Sequence, residues 1–164
     1  MTKEINFYFD FISPYAYLAY KKIQSLSKDI KINYKPILLG GLHKLEGITA
    51  PAFIMPKLKH MINDCILIAK KNNFDFKWNS TFPINSLTIM RGYFVISSTN
   101  QAQYIKMMFD AYWKDDLDIS KEEILIQLLE QCKIDKDVFF KTIKDPVIKE
   151  KLKDETKNAH EKEV

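Results

Sequence analysis

The segment Ile5 to Asp10 reads INFYFD. Its aromatic and β-branched content predicts a buried strand. The period then changes. Ser13 is suited to an N-cap and Pro14 to the first helical position, and Tyr15, Leu18, Ala19, Ile23 and Leu26 follow at helical spacing. Ile30, Ile32 and Tyr34 alternate before the apolar Ile37-Leu38-Leu39, which predicts a second strand over Ile30 to Leu38. Gly40-Gly41 breaks that pattern, and His43 and Lys44 fall in the loop that follows.

Beyond the glycines the pattern is almost entirely helical. Helices are predicted from about Lys57 to Lys71, Ser86 to Ser97 and Gln101 to Trp113, with a loop carrying Trp78 over Phe74 to Pro83. Ser120-Lys121-Glu122-Glu123 has the form of a capping box opening a helix to Cys132. On that helix Leu125, Leu128, Leu129 and Cys132 share one face. Asp135 caps a short helix, and Asp145-Pro146 caps the last, to about His160. No internal repeat interrupts this order. The class is α/β: strand, helix, strand, then a long helical block. Both strands look apolar on two faces, as in a central sheet, and two strands alone are marginal. Further strands are expected beyond Val164.

Composition narrows the function classes. The 164 residues include 25 Lys+Arg and 21 Asp+Glu, a formal charge of +4, with Arg91 the only arginine. Dispersed lysines without arginine forks describe a solvated helical surface rather than a nucleic-acid reader. Cys65 and Cys132 are far apart and form no C-x-x-C pair, so each reads as a small core residue, with no disulfide, zinc or redox role. Met1-Thr2-Lys3-Glu4 runs into a strand with no signal-peptide core, and no apolar run approaches membrane-spanning length. A cytoplasmic protein with no membrane partner is expected.

Chemistry concentrates at the first strand-to-helix junction. There Ser13 would set its hydroxyl beside the first free amides of a helix, a position that favours an anion. Ser-Pro is also simply a good helix start, and local physics leaves both readings open.

The run Phe7-Tyr8-Phe9-Asp10-Phe11-Ile12-Ser13-Pro14-Tyr15-Ala16-Tyr17-Leu18-Ala19 resembles the N-terminal signature of the 2-hydroxychromene-2-carboxylate isomerase family, shared with kappa-class glutathione transferases. Two further stretches match in order: Pro56-Lys57 through Asn63-Asp64, and Phe82-Pro83-Ile84-Asn85-Ser86 followed by Met90-Arg91-Gly92. In that family the serine stands where thioredoxin relatives have the first cysteine of C-x-x-C. Here the four positions are Ser13-Pro14-Tyr15-Ala16, so disulfide exchange through the motif is impossible.

The resemblance implies a thioredoxin-like β-α-β unit (residues 1–40 and 146–164) carrying a large inserted all-helical domain (41–145), with the C-terminal strands missing. It implies a glutathione-dependent cis-trans isomerase in which Ser13 holds the glutathione thiolate. The substrate would be a small aromatic or conjugated carboxylate, and the full-length protein a homodimer. A kappa-like transferase, or a non-catalytic remnant acting as a binding or dimer surface, are the alternatives. Lys57 resembles a family lysine near the glutathione site, or is a surface lysine. Asn85 either faces the substrate cleft or caps a helix. His43 and Lys44 either contact an anionic substrate or are solvated. His60 stands where the family has tyrosine, and Ile48 where kappa-class relatives have a glutathione-touching asparagine. The family's cis-proline lies in a G-V-P-T segment past the equivalent of Val164, followed by a G-x-D-R turn, so no cis-proline is expected within the chain. A chain ending there should be poorly soluble or oligomeric, and should bind glutathione weakly or not at all.

Overall fold

A computed structural model describes residues 3–26 and 29–164. The first two residues of the expected N-terminal pattern, Met1 and Thr2, lie outside it. Strand β1 (Lys3–Phe9) pairs in parallel with β2 (Ile30–Pro36), in a register running from Lys3 opposite Ile30 to Phe9 opposite Pro36. Helix α1 (Pro14–Ile23) is the crossover between them. The remaining helices are α2 (Leu39–Leu45), α3 (Met55–Asn72), α4 (Leu87–Val95), α5 (Ser98–Trp113), α6 (Glu122–Gln131), α7 (Lys136–Thr142) and α8 (Pro146–Glu161). A 3-10 turn covers Pro51–Phe53.

The sheet is apolar on both faces only in its upper half. Phe7 and Phe9 are buried on the face towards α1 and α5, while Tyr8 packs on the other face with Ile37, Leu42 and Ala159. In the lower half one face is polar, contrary to the expectation of two apolar faces throughout, while Ile32 on the other face still packs against the core. Lys31 pairs with Glu4 at 2.9 Å, and the Asn33 amide donates to Glu4 and Asn6.

The core lies between α1, α4, α5 and α6. Phe9, Phe11, Tyr17, Tyr20 and Phe109 meet as edge-to-face, tilted and stacked rings. Their centroid spacings fall in the range where aromatic pairs are attractive beyond area burial. The buried stripe of α1 differs from the one expected. Tyr15 and Leu26 are 42% and 37% exposed, while Ala16, Tyr17, Leu18 and Tyr20 are buried. Tyrosine rings fill that stripe because their hydroxyls find partners, as Tyr17 does by donating to the Asp75 carbonyl at 2.6 Å.

The helix starts follow side-chain chemistry. Asp135 accepts from the Val138 amide at 3.0 Å and Asp145 from that of Val147 at 2.8 Å, as expected. Ser120 does not cap. Its hydroxyl and amide are both taken by the Asp118 carboxylate, and α6 starts one residue later behind Lys121 without a side-chain cap. Leu125, Leu128, Leu129 and Cys132 share a buried face, and both cysteines are buried. A second correction concerns Gly40 and Gly41, which lie inside α2 and not in a loop. A third is the cis peptide at Phe82–Pro83.

Candidate functional site

β1 ends at Phe9, and the next four residues turn the chain into α1. Asp10 is buried at this turn. Its carboxylate accepts from the Ile12 amide (3.2 Å), the Leu39 amide (2.9 Å) and the Ser86 hydroxyl (3.0 Å). One side chain thus ties the α1 entry, the α2 entry and the α4 entry together. Burial raises the Asp10 carboxyl from its ordinary value to about 6, and the three donors only partly oppose that rise.

Ser13 follows. Its amide donates to the Asp10 carbonyl at 3.0 Å, and its Oγ accepts from the Ala16 amide at 3.1 Å. The hydroxyl proton is committed to no other described residue. The Tyr15 amide, near the start of α1, likewise has no partner among them. Two donors therefore converge at the positive end of a helix.

These groups open on a cleft of about 580 Å³. Its walls come from the α1 entry (Ile12 to Tyr15), from α2 (Leu39, Gly40, His43), from the 3-10 turn with Met61 of α3, and from the 82–86 segment. The lining is mostly apolar with a few polar groups, which is the usual form of a small-molecule site.

The structure brings three of the five sequence-indicated residues to this cleft: Ser13, His43 and Asn85. Asn85 lines the cleft but is not the N-cap of α4, a position that Ser86 takes. Its Oδ1 accepts from the Leu87 amide at 3.0 Å, and the residue is exposed at the cleft, its amide nitrogen free to donate. His43 stands on α2 rather than in a loop, and its Nδ1 is buried without a hydrogen-bond partner among the described residues. Lys57 is exposed in the first turn of α3, one helical turn before the cleft residue Met61, so the two share a face. Lys44 does not reach the cleft. It lines a separate pocket behind α2. His60 and Ile48 are exposed and outside the cleft lining.

Three contributors escaped the sequence reading. Asp10 and Ser86 form the buried support beneath Ser13. Tyr15 donates to the Asp64 carboxylate at 2.8 Å, linking α1 to α3. Burial, then that hydrogen bond, raises the Tyr15 hydroxyl well above the usual tyrosine value, so it remains a neutral donor. A charged residue ending an apolar strand was the available signal for Asp10.

The family model of the DSBA-like thioredoxin domain matches residues 4–164. The chain belongs to the DsbA-like thioredoxin domain family. Within it, the chain is 27% identical over 151 residues to a 2-hydroxychromene-2-carboxylate isomerase of Sphingobium xenophagum, covering 89% of this chain and 76% of that protein. It is 39% identical over 69 residues to glutathione S-transferase kappa 1 of Caenorhabditis elegans, covering 40% of this chain and 30% of the relative. A solved 2-hydroxychromene-2-carboxylate isomerase superposes with a TM-score of 0.87 at 23% identity, over 98% of this chain and 81% of that one. This DsbA-like domain therefore has the thioredoxin-like fold with a helical insertion, and isomerases among its relatives. It carries Ser13 and Ala16 at the ends of the motif on α1, where thiol exchange would need sulfur.

Proposed function

We propose that the chain is a glutathione-dependent cis-trans isomerase of the 2-hydroxychromene-2-carboxylate isomerase type, acting through a glutathione thiolate held by Ser13. The observation that carries this reading is the Ser13 hydroxyl at the N-terminus of α1, whose proton has no competing partner among the described residues and which opens on a largely apolar cleft. About 580 Å³ falls within the size range of small-molecule sites and suits a tripeptide with a small planar substrate.

Bound glutathione supplies a thiolate that adds reversibly to a conjugated carboxylate, lets the former double bond rotate, and leaves unconsumed. The chain's own residues stabilise and orient it. Ser13 donates its free proton to the sulfur and accepts from Ala16, so the hydroxyl is polarised in the needed direction. A hydrogen bond to a charged acceptor contributes about 1.5–3 kcal/mol, and the helix terminus about 0.3–1 kcal/mol. At about 1.36 kcal/mol per pH unit, together they bring an ordinary thiol of pKa ~8.5 down to a mostly ionised one at neutral pH. Lys57, on the α3 face that carries Met61, pairs a glutathione carboxylate, and Asn85 and His43 offer polar contacts to the substrate. Lys44, behind α2, is removed from that role. The thioredoxin-like parts (1–40 and 146–164) supply Ser13, and the inserted helices (41–145) shape the substrate end.

A kappa-like transferase is the second reading, favoured by the 39% identity to the kappa-class relative over its matched stretch. It uses the same thiolate with a different electrophile, so turnover of a hydroxychromene carboxylate against that of a halogenated aromatic separates the two. For the shared step, the thiolate absorbance of bound glutathione is titrated against pH in the wild type and Ser13→Ala. The midpoint should rise by roughly one to two pH units in the variant, the loss of one charged hydrogen bond. An unchanged midpoint overturns the role given to Ser13.

A further inference from the structure

Behind α2 lies a second pocket, of about 640 Å³, walled by α2, α4 and α8. The helix is a partition. Leu39, Gly40 and His43 face the Ser13 cleft, while Gly41, Lys44 and Leu45 line the rear pocket; Leu38 borders both.

The rear pocket is apolar in its floor and cationic at its rim. Leu38, Leu87 and Leu152 supply the floor, and Leu45, about half exposed at 51%, adds apolar surface at its edge. The rim carries Arg91, the chain's only arginine, with Lys44 and Lys149. None of these three makes an ion pair with another described residue. Lys153 and Lys157, also at the rim, are engaged, with Glu150 at 3.0 Å and Glu161 at 3.8 Å. Of the two carboxylates lining the pocket, Glu150 is thus taken, and Asp154 alone opposes the free cations. Arg91 Nε is buried without a hydrogen-bond partner among the described residues. The guanidinium's planar fork matches a carboxylate.

We infer that this pocket binds an amphipathic carboxylate, its head on Arg91 with Lys44 and Lys149 and its apolar body on the leucine floor. The site does not depend on the isomerase reading, because it shares neither Ser13 nor Asn85. A carboxylate fits better than a bare inorganic anion because the leucine floor offers such an ion nothing, and better than a neutral lipid because the rim would remain unpaired.

Calorimetry with decanoate as the probe tests this. One decanoate should bind per chain, with acetate and 1-decanol at least tenfold weaker. Arg91→Gln should weaken decanoate at least tenfold, with its thermal midpoint measured alongside. Should that variant fail to fold, the double variant K44Q/K149Q decides, since both lysines are exposed; it should weaken binding severalfold and flatten its salt dependence. Ser13→Ala should leave decanoate binding unchanged. Equal affinity for 1-decanol, indifference to both sets of rim variants, displacement by glutathione, or no binding would each overturn the assignment.

Discussion

Asp10 is a carboxylate taken out of water at the point where three helices begin. Its donors, Leu39, Ile12 and Ser86, make it a structural clamp for the loop that presents Ser13. Its folded-state value of about 6 lies above the ordinary 3.8. A raised carboxyl binds its proton more tightly in the folded chain than in the unfolded one. Its stabilising effect is therefore complete below about pH 4 and is lost as pH rises through about 6. Relative to Asp10→Asn, the wild type should gain roughly 1–2 kcal/mol between pH 7.5 and pH 5, read from urea unfolding at the two pH values. Equal pH dependence in the two proteins would mean that Asp10 is not raised. Asp10→Asn should itself cost roughly 1–3 kcal/mol at pH 5, because an amide cannot accept from all three donors at once. Sequence pattern marks Ser13 because a cap has a local signature. It cannot mark Asp10 and Ser86 as a pair, since they stand 76 positions apart and meet only when the chain between them folds.

Among the elements, α2 is the instructive case. Two adjacent glycines suggest a break, and the first position lacks a side-chain cap. The segment is nonetheless helical, since Leu38 is held by Thr156 and Leu39 by Asp10, so tertiary hydrogen bonds set its first turn. The elements that were legible are those with local chemistry: β1 and β2 by composition, α7 and α8 by their aspartate caps, α6 by its leucine face. The Ser120 box failed because Asp118 competes for the same groups. Glycine substitutions separate local propensity from packing. At Gly40 an added Cβ meets nothing within 4 Å, so Gly40→Ala should stabilise the fold by up to about 1 kcal/mol. At Gly92 it would stand 2.6 Å from the Phe139 ring and against the Tyr104 hydroxyl, where α4 touches α5 and α7. Gly92→Ala should destabilise by about 1–3 kcal/mol in denaturant unfolding. The opposite ordering of the two variants would show that α4 does not pack this closely.

At the scale of the whole molecule, the question is whether the inserted helices fold separately from the thioredoxin-like part. One continuous core argues that they do not. Phe7 and Phe9 of β1, Tyr17 of α1, Phe109 and Trp113 of α5, Leu129 of α6 and Leu152 of α8 belong to a single buried cluster. Trp113 is the link. Its Nε1 donates to the Phe11 carbonyl at 2.8 Å, just before Ser13, while its ring meets Phe76, Trp78 and Phe82 of the loop that closes the cleft. Loss of that ring from either side leaves a cavity and an unpaired buried carbonyl. Unfolding should therefore be one transition, with tryptophan fluorescence and far-ultraviolet circular dichroism giving the same urea midpoint. Trp113→Phe keeps most of the apolar volume but removes the donor, and should lower stability by about 1–3 kcal/mol. It should also weaken glutathione binding, because Phe11 and Phe82 both lead directly into the cleft. Two separated midpoints in the wild type would mean that residues 41–145 hold together independently, and that the shared aromatic core is not what couples the helical insertion to the Ser13 site.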